Sequence, residues 1–103
     1  MSEQKSKKVI KVAATSRTPS VAGAIAGILR DDGEVEVQAI GASAVNQALK
    51  ALVTAQKFLS QEGKNLRFHP KFLDTVIKGK ERTVLQFMVE LGSKPYPQLG
   101  YGD

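Results

Sequence analysis

The spacing of hydrophobic positions changes period several times along this chain, and each change predicts an element. Lys8 to Ala14 (KVIKVAA) is short, apolar and β-branched, the pattern of a buried strand. From Pro19 to about Arg30, Val21, Ile25, Ile28 and Leu29 recur at helical intervals. Thr18 is a candidate N-cap, Pro19 falls near the first helical position, and Gly33 is a candidate left-handed terminator. Asp31 and Asp32 sit at the unfavourable end of that helix's dipole. Period two follows in EVEVQAI (Glu34 to Ile40), where Val35, Val37 and Ala39 alternate with Glu34, Glu36 and Gln38, a strand with one wet face. A long helix is expected from about Ala42 to Gln61, burying Val45, Ala48, Leu49, Leu52, Ala55, Phe58 and Leu59 and closing at Gly63. Leu66 to Lys78 reads as a strand that Pro70 assigns to a sheet edge or a bulge. Arg82 to Leu91 alternates, with Leu85, Phe87, Val89 and Leu91 on one face, and the intervening KGKE is a hairpin turn around Gly79.

The order β-α-β-α-β-β predicts an α/β chain of the α+β type, a two-layer sandwich with two helices on one face of a small mixed sheet. Its first β-α-β unit is expected to be a right-handed parallel crossover. Residues 8–91 form the expected domain, between a basic tail at 1–7 and a Pro/Gly-rich tail at 92–103, both expected to be flexible.

Composition narrows the function classes. A chain of 103 residues with 42% apolar content is sized for one domain and one core. No cysteine is present, which excludes disulfides, thiolate metal sites and a cysteine nucleophile. The single histidine, His69, excludes a histidine-built metal site within one chain, and its place beside Pro70 in a strand reads as a surface or edge position. No paired-carboxylate, metal or Walker phosphate-loop pattern is present, so the expectation is a protein without catalysis, cofactor or metal. No run approaches the ~18 apolar residues of a membrane span, and MSEQKSKK does not lead into a signal-peptide core, so a cytoplasmic protein without a membrane partner is expected. The formal charge of +5 points towards polyanions, although a lysine-rich solvated surface has the same composition.

Three features remain as candidates for binding. Gly23 and Gly27 lie four apart in the first helix among Ala22, Ala24 and Ala26. Each glycine costs about 1 kcal/mol against alanine. Close approach of that helix to the sheet or to the second helix would explain them; nearness of a ligand to the helix start is the alternative. A parallel crossover also brings both helix starts to one edge, placing Thr15, Ser16, Arg17, Thr18 and Ser20 near Gly41, Ser43, Asn46 and Gln47, a neutral hydrogen-bonding cluster with one guanidinium beside it; Lys11 and Lys50 are further candidate nucleic-acid contacts. Outward amides and a favourable dipole suit phosphate there, and ordinary capping accounts for the same residues equally well. Lys78, Lys80 and Arg82 surround Gly79 at the hairpin, either as a polyanion contact or as a solvated turn that guards a strand edge. Phe58, Phe68, Phe72 and Phe87 are read as buried, which leaves few aromatics for base stacking.

The stretches SVAGAIAG (Ser20 to Gly27) and QAIGASAVNQALKA (Gln38 to Ala51) closely resemble the bacterial stage V sporulation protein S family. Pro70–Phe72 and Gly79–Thr83 match that family too, and the similarity spans about Val9 to Glu90. The resemblance implies an Alba-like fold, a homodimer, and binding of DNA or RNA through the loop before the first helix and the late hairpin. On this chain those regions are Thr15 to Ser20 and Lys78 to Arg82. Asn46 and Gln47 belong to the family's most distinctive motif. Ser43 departs from the second glycine usual there, the hairpin is more basic than the family's acid-bearing turn, and TSRTPS carries only Arg17 where Alba's loop is rich in lysine. The rival expectation is a dimeric protein-interaction module in which Asn46, Gln47 and Lys50 dock a partner.

Overall fold

The computed structural model describes residues 7–92 and places in them β1 (Val9–Val12), α1 (Thr18–Asp32), β2 (Glu34–Ala39), α2 (Ala42–Ser60), β3 (Asn65–Ile77) and β4 (Lys80–Gly92). Apart from Lys7 and Gly92, the expected tails lie outside the described residues, and Gly92 closes β4. The strands form one sheet in the order β1-β2-β4-β3. β1 and β2 are parallel, as a helical crossover between them requires, and the remaining pairings are antiparallel. This is the α+β layout expected from the alternating periods, with a mixed sheet.

Alternation decides which face of the sheet is covered. Val12, Val35, Val37, Ala39, Phe87 and Val89 share one face and pack with Ala22, Ile25, Leu29, Leu52 and Leu59 of the helices in a single cluster. Phe68 and Phe87 meet edge to face at a centroid separation of 5.2 Å. The other face carries Val9 and Lys11 of β1, Glu36 and Gln38 of β2, and Gln86 and Met88 of β4, and no helix covers it. On it Glu36 accepts 2.6 Å hydrogen bonds from the amides of Gln38 and Gln86. Partial burial alone would raise the Glu36 pKa, but these two amides, with Lys7 and Lys71 nearby, hold it below its ordinary 4.5. A lowered carboxyl stabilises the fold above its unfolded-state pKa, and that contribution is lost as pH falls through the folded value. Glu36→Gln is therefore expected to be less stable than wild type near neutrality, with the gap closing below about pH 4.5 in parallel denaturation curves.

Pro70 lies on the edge strand as expected, but without a bulge: the β3–β4 register runs unbroken from Asn65↔Gly92 to Ile77↔Lys80. An outer strand needs no amide donor on its free side, so proline costs the ladder nothing there. Gly33 caps α1 at φ 81°, its N–H reaching the Leu29 carbonyl at 2.9 Å. Asp32 beside it forms an ion pair with Lys8 at 3.4 Å, which offsets its unfavourable place on the dipole.

Two packing expectations are corrected. The buried arc of α2 is Ala44, Ala48, Ala51, Leu52, Ala55 and Leu59, whereas Leu49 and Phe58 are exposed and Val45 is half-buried. Small alanines let α2 lie close to the sheet and α1, and the larger residues flank that contact. The glycines of α1 do not mark a close approach either, because a Cβ at Gly23 or Gly27 would meet nothing within 4 Å. Gly23→Ala and Gly27→Ala are accordingly expected to stabilise the isolated chain by about 0.5–1 kcal/mol each, read as a raised denaturation midpoint.

Candidate nucleic-acid interface

The first loop is built by its own backbone. The Ala13 N–H donates to Ser16 Oγ at 2.8 Å and the Ser16 N–H to the Ala13 carbonyl at 3.0 Å, closing a tight turn around Ala14 and Thr15. The Ser16 carbonyl accepts from Gln47 Nε2 at 2.7 Å, so the second helix start is tied directly to this loop. Gln47 thus has a structural task. Thr18 is not the cap expected: Arg17 occupies that position with extended backbone and makes no side-chain cap bond, and Thr18 begins the helix with Pro19 next. Gly41 precedes α2 at φ 89°, a conformation that L side chains rarely adopt.

Neither helix has a side-chain cap or an acidic residue in its first turn. The outward amides of both starts are thereby left to solvent or to an anion. Around them Thr15, Arg17, Ser20, Ser43, Asn46 and Lys50 are exposed. The expected juxtaposition is present: Thr15, Ser16, Arg17 and Ser20 share one end of the molecule with Ser43, Asn46, Gln47 and Lys50.

The hairpin belongs to the same end. β2 stops at Ala39, opposite Leu85, while β3 and β4 continue as a two-stranded arm for five further residue pairs. At ~3.4 Å per residue the arm projects about 17 Å past the parallel strands. Its turn is Lys78-Gly79, both at positive φ, 53° and 78°, as a two-residue hairpin loop demands. The register puts Lys80 opposite Ile77 and Arg82 opposite Thr75 on one face of the arm, with Asp74, Val76, Glu81 and Thr83 on the other. Acidic and basic residues of the arm are therefore segregated by the pleat. Lys11 lies on the same uncovered face of the sheet as Lys80 and Arg82, not among the helix starts.

Charge is also sorted along the molecule. Among the described residues the ion pairs are Lys7–Glu34, Lys8–Asp32, Arg30–Glu62, Lys64–Glu62 and Arg67–Glu90. All five lie where β1, β2 and β3 begin and where α1, α2 and β4 end, opposite the helix starts. Within that group Arg30 hydrogen-bonds Glu62 and holds its carboxyl below the ordinary range, with Lys64 adding to the effect. Lys11, Arg17, Lys50, Lys78, Lys80 and Arg82 form no ion pair among the described residues and keep their charge for solvent or a partner.

Two features were missed by sequence reasoning. Phe72 is 75% exposed on the edge strand β3, level with the end of β2 at the base of the arm, so an aromatic is available after all. The full length of the arm was hidden because Lys80 and Glu81 are polar enough to pass for part of the turn; the matching alternation of Leu73, Thr75 and Ile77 was the signal.

Among known proteins, the fold is similar to that of Alba from Thermoplasma volcanium, with a TM-score of 0.51 at 15% identity, covering 81% of this chain and 99% of that one. The architecture is accordingly Alba-like. The family model described as Stage V sporulation protein S (SpoVS) matches residues 8–92, which include both helix starts and the whole arm. The chain belongs to the Stage V sporulation protein S family.

Proposed function

We propose that this protein is a small, non-enzymatic, nucleic-acid-binding regulator that meets phosphates at one end of the molecule. The observation that carries the reading is the sorting of charge: the ion pairs among the described residues gather at the far end, while the cations beside two uncapped helix starts take part in none of them. Phosphate contacts require donors and positive charge without base-specific geometry, and this surface offers both. Arg17, Ser20, Ser43, Asn46 and Lys50 contact the backbone at the helix starts, and Lys78, Lys80 and Arg82 extend the contact along the arm. Thr15 and Ser16 shape the loop between them.

The test is fluorescence anisotropy with labelled duplex DNA and single-stranded RNA, titrated from about 50 to 200 mM salt. If roughly four phosphates of a duplex are neutralised, affinity falls on the order of a hundredfold over that range. Absence of binding to either polymer at the low-salt end overturns the reading.

A homodimer forms part of the proposal. Phe72 and Val76 on β3, with Leu49 and Val53 on α2, are large apolar residues left exposed, and such surface in a small domain marks an interaction site. The same observation favours the rival, an interaction module without nucleic acid. Sedimentation analysis combined with pull-downs before and after nuclease treatment separates them: partners that survive nuclease favour the module.

A further inference from the structure

A groove of ≈ 870 Å³ opens between the first loop and the arm. Val84 and Ala39, both nearly inaccessible, lie at its base, and Val9, Leu73 and Ile77 form apolar walls. Three polar side chains interrupt this lining: Lys11, Gln38 and Thr75. The volume falls in the range of sites for small organic groups, roughly 300–1,000 Å³, and apolar walls with a few polar groups are their usual lining.

The position of the groove is as informative as its lining. Ala14 at its rim directly precedes Thr15, Ala44 directly follows Ser43, and Ile77 directly precedes Lys78. A polymer whose phosphates run from the helix starts to the arm must therefore cross the mouth of the groove. The part of a nucleic acid that is flat, largely apolar on its faces and carries hydrogen-bonding edges is the base. In a duplex the bases are stacked and paired, and only their edges reach the grooves. In a single strand they are free to turn into a pocket.

We infer that this groove accepts an unpaired base, so that the protein prefers single-stranded nucleic acid over a duplex. The inference rests on the phosphate-binding reading above. The Gln38 amide gives its Nε2 hydrogen to Glu36, which leaves the Gln38 carbonyl to accept from a base amino group. The Thr75 hydroxyl and the Lys11 ammonium make no hydrogen bond or ion pair among the described residues and supply donors. Aliphatic walls hold the faces of the base by contact, without the aromatic platform common in single-strand binders.

The experiment compares three labelled probes of about 20 nucleotides at about 150 mM salt: a single strand, the same strand with abasic sites throughout, and the duplex. The intact strand is expected to bind at least about tenfold more tightly than its abasic counterpart and than the duplex. Ala14→Phe, in an exposed turn, and Thr75→Phe, on a strand that tolerates aromatics, each fill the groove without changing charge. Either variant, once its melting curve shows it folded, should bring the intact strand to the affinity of the abasic one. Equal binding of the intact and abasic strands by wild type overturns the inference and leaves the phosphate reading standing. Binding of none of the three, even at about 50 mM salt, removes both.

Discussion

Replacing Phe87 by alanine is expected to cost this protein about 3–5 kcal/mol, the usual range for a buried aromatic cut back to a methyl group. Phe87 is 2% exposed, sits on β4 between β2 and β3, and packs edge-to-face on Phe68. It contacts the core from an inner strand held by antiparallel ladders on both sides, so the cavity cannot close by movement of one free element. Domains of this size have roughly 5–15 kcal/mol of stability in total, and each kcal/mol moves the midpoint by about 4–8 °C. A fall on the order of 15–30 °C in thermal denaturation is the expected reading. A change of only a few degrees would show that the sheet and helices repack around the gap.

The second large effect concerns binding. Arg17→Gln, Lys80→Gln and Arg82→Gln together remove three unpaired cations from two separate elements while leaving every ion pair of the opposite end intact. None of the three is buried, so circular dichroism and melting should match wild type. If each meets one phosphate, the slope of log affinity against log salt becomes shallower by roughly 2.5–3 units on duplex DNA. Affinity at about 50 mM salt should fall by on the order of a hundredfold or more. An unchanged slope in a folded triple variant would place the nucleic acid on some other surface.

Much of this architecture was legible because local chemistry and tertiary demand agreed. Gly33 was readable as a terminator since only a left-handed residue ends α1 there, and Pro70 as an edge residue since only an edge spares its missing donor. The meeting of Ser16 and Gln47 followed from a parallel crossover, which must return both helix starts to one side. What stayed hidden depended on how elements sit on one another. In α2, periodicity weights large residues, so it selected Leu49 and Phe58, while close packing selected Ala44 and Ala51. The exposure of Phe72 on an edge strand and the groove both needed the strand order, which a linear pattern does not contain. Lys11 shows the same limit: its charge was visible, but not that it points to the uncovered face.

The separation of paired and unpaired charge has a kinetic consequence. With its ion pairs gathered at one end, and Arg17, Lys50, Lys78, Lys80 and Arg82 outnumbering Asp74 and Glu81 at the other, the molecule carries a permanent electric moment along its length. In the field of a polyanion it turns before it touches, and a larger share of collisions arrives in the productive orientation. Added salt shortens the range of that torque to about a Debye length, ~8 Å at physiological ionic strength. Ionic strength should therefore act strongly on how fast the complex forms, through the number of correctly oriented encounters.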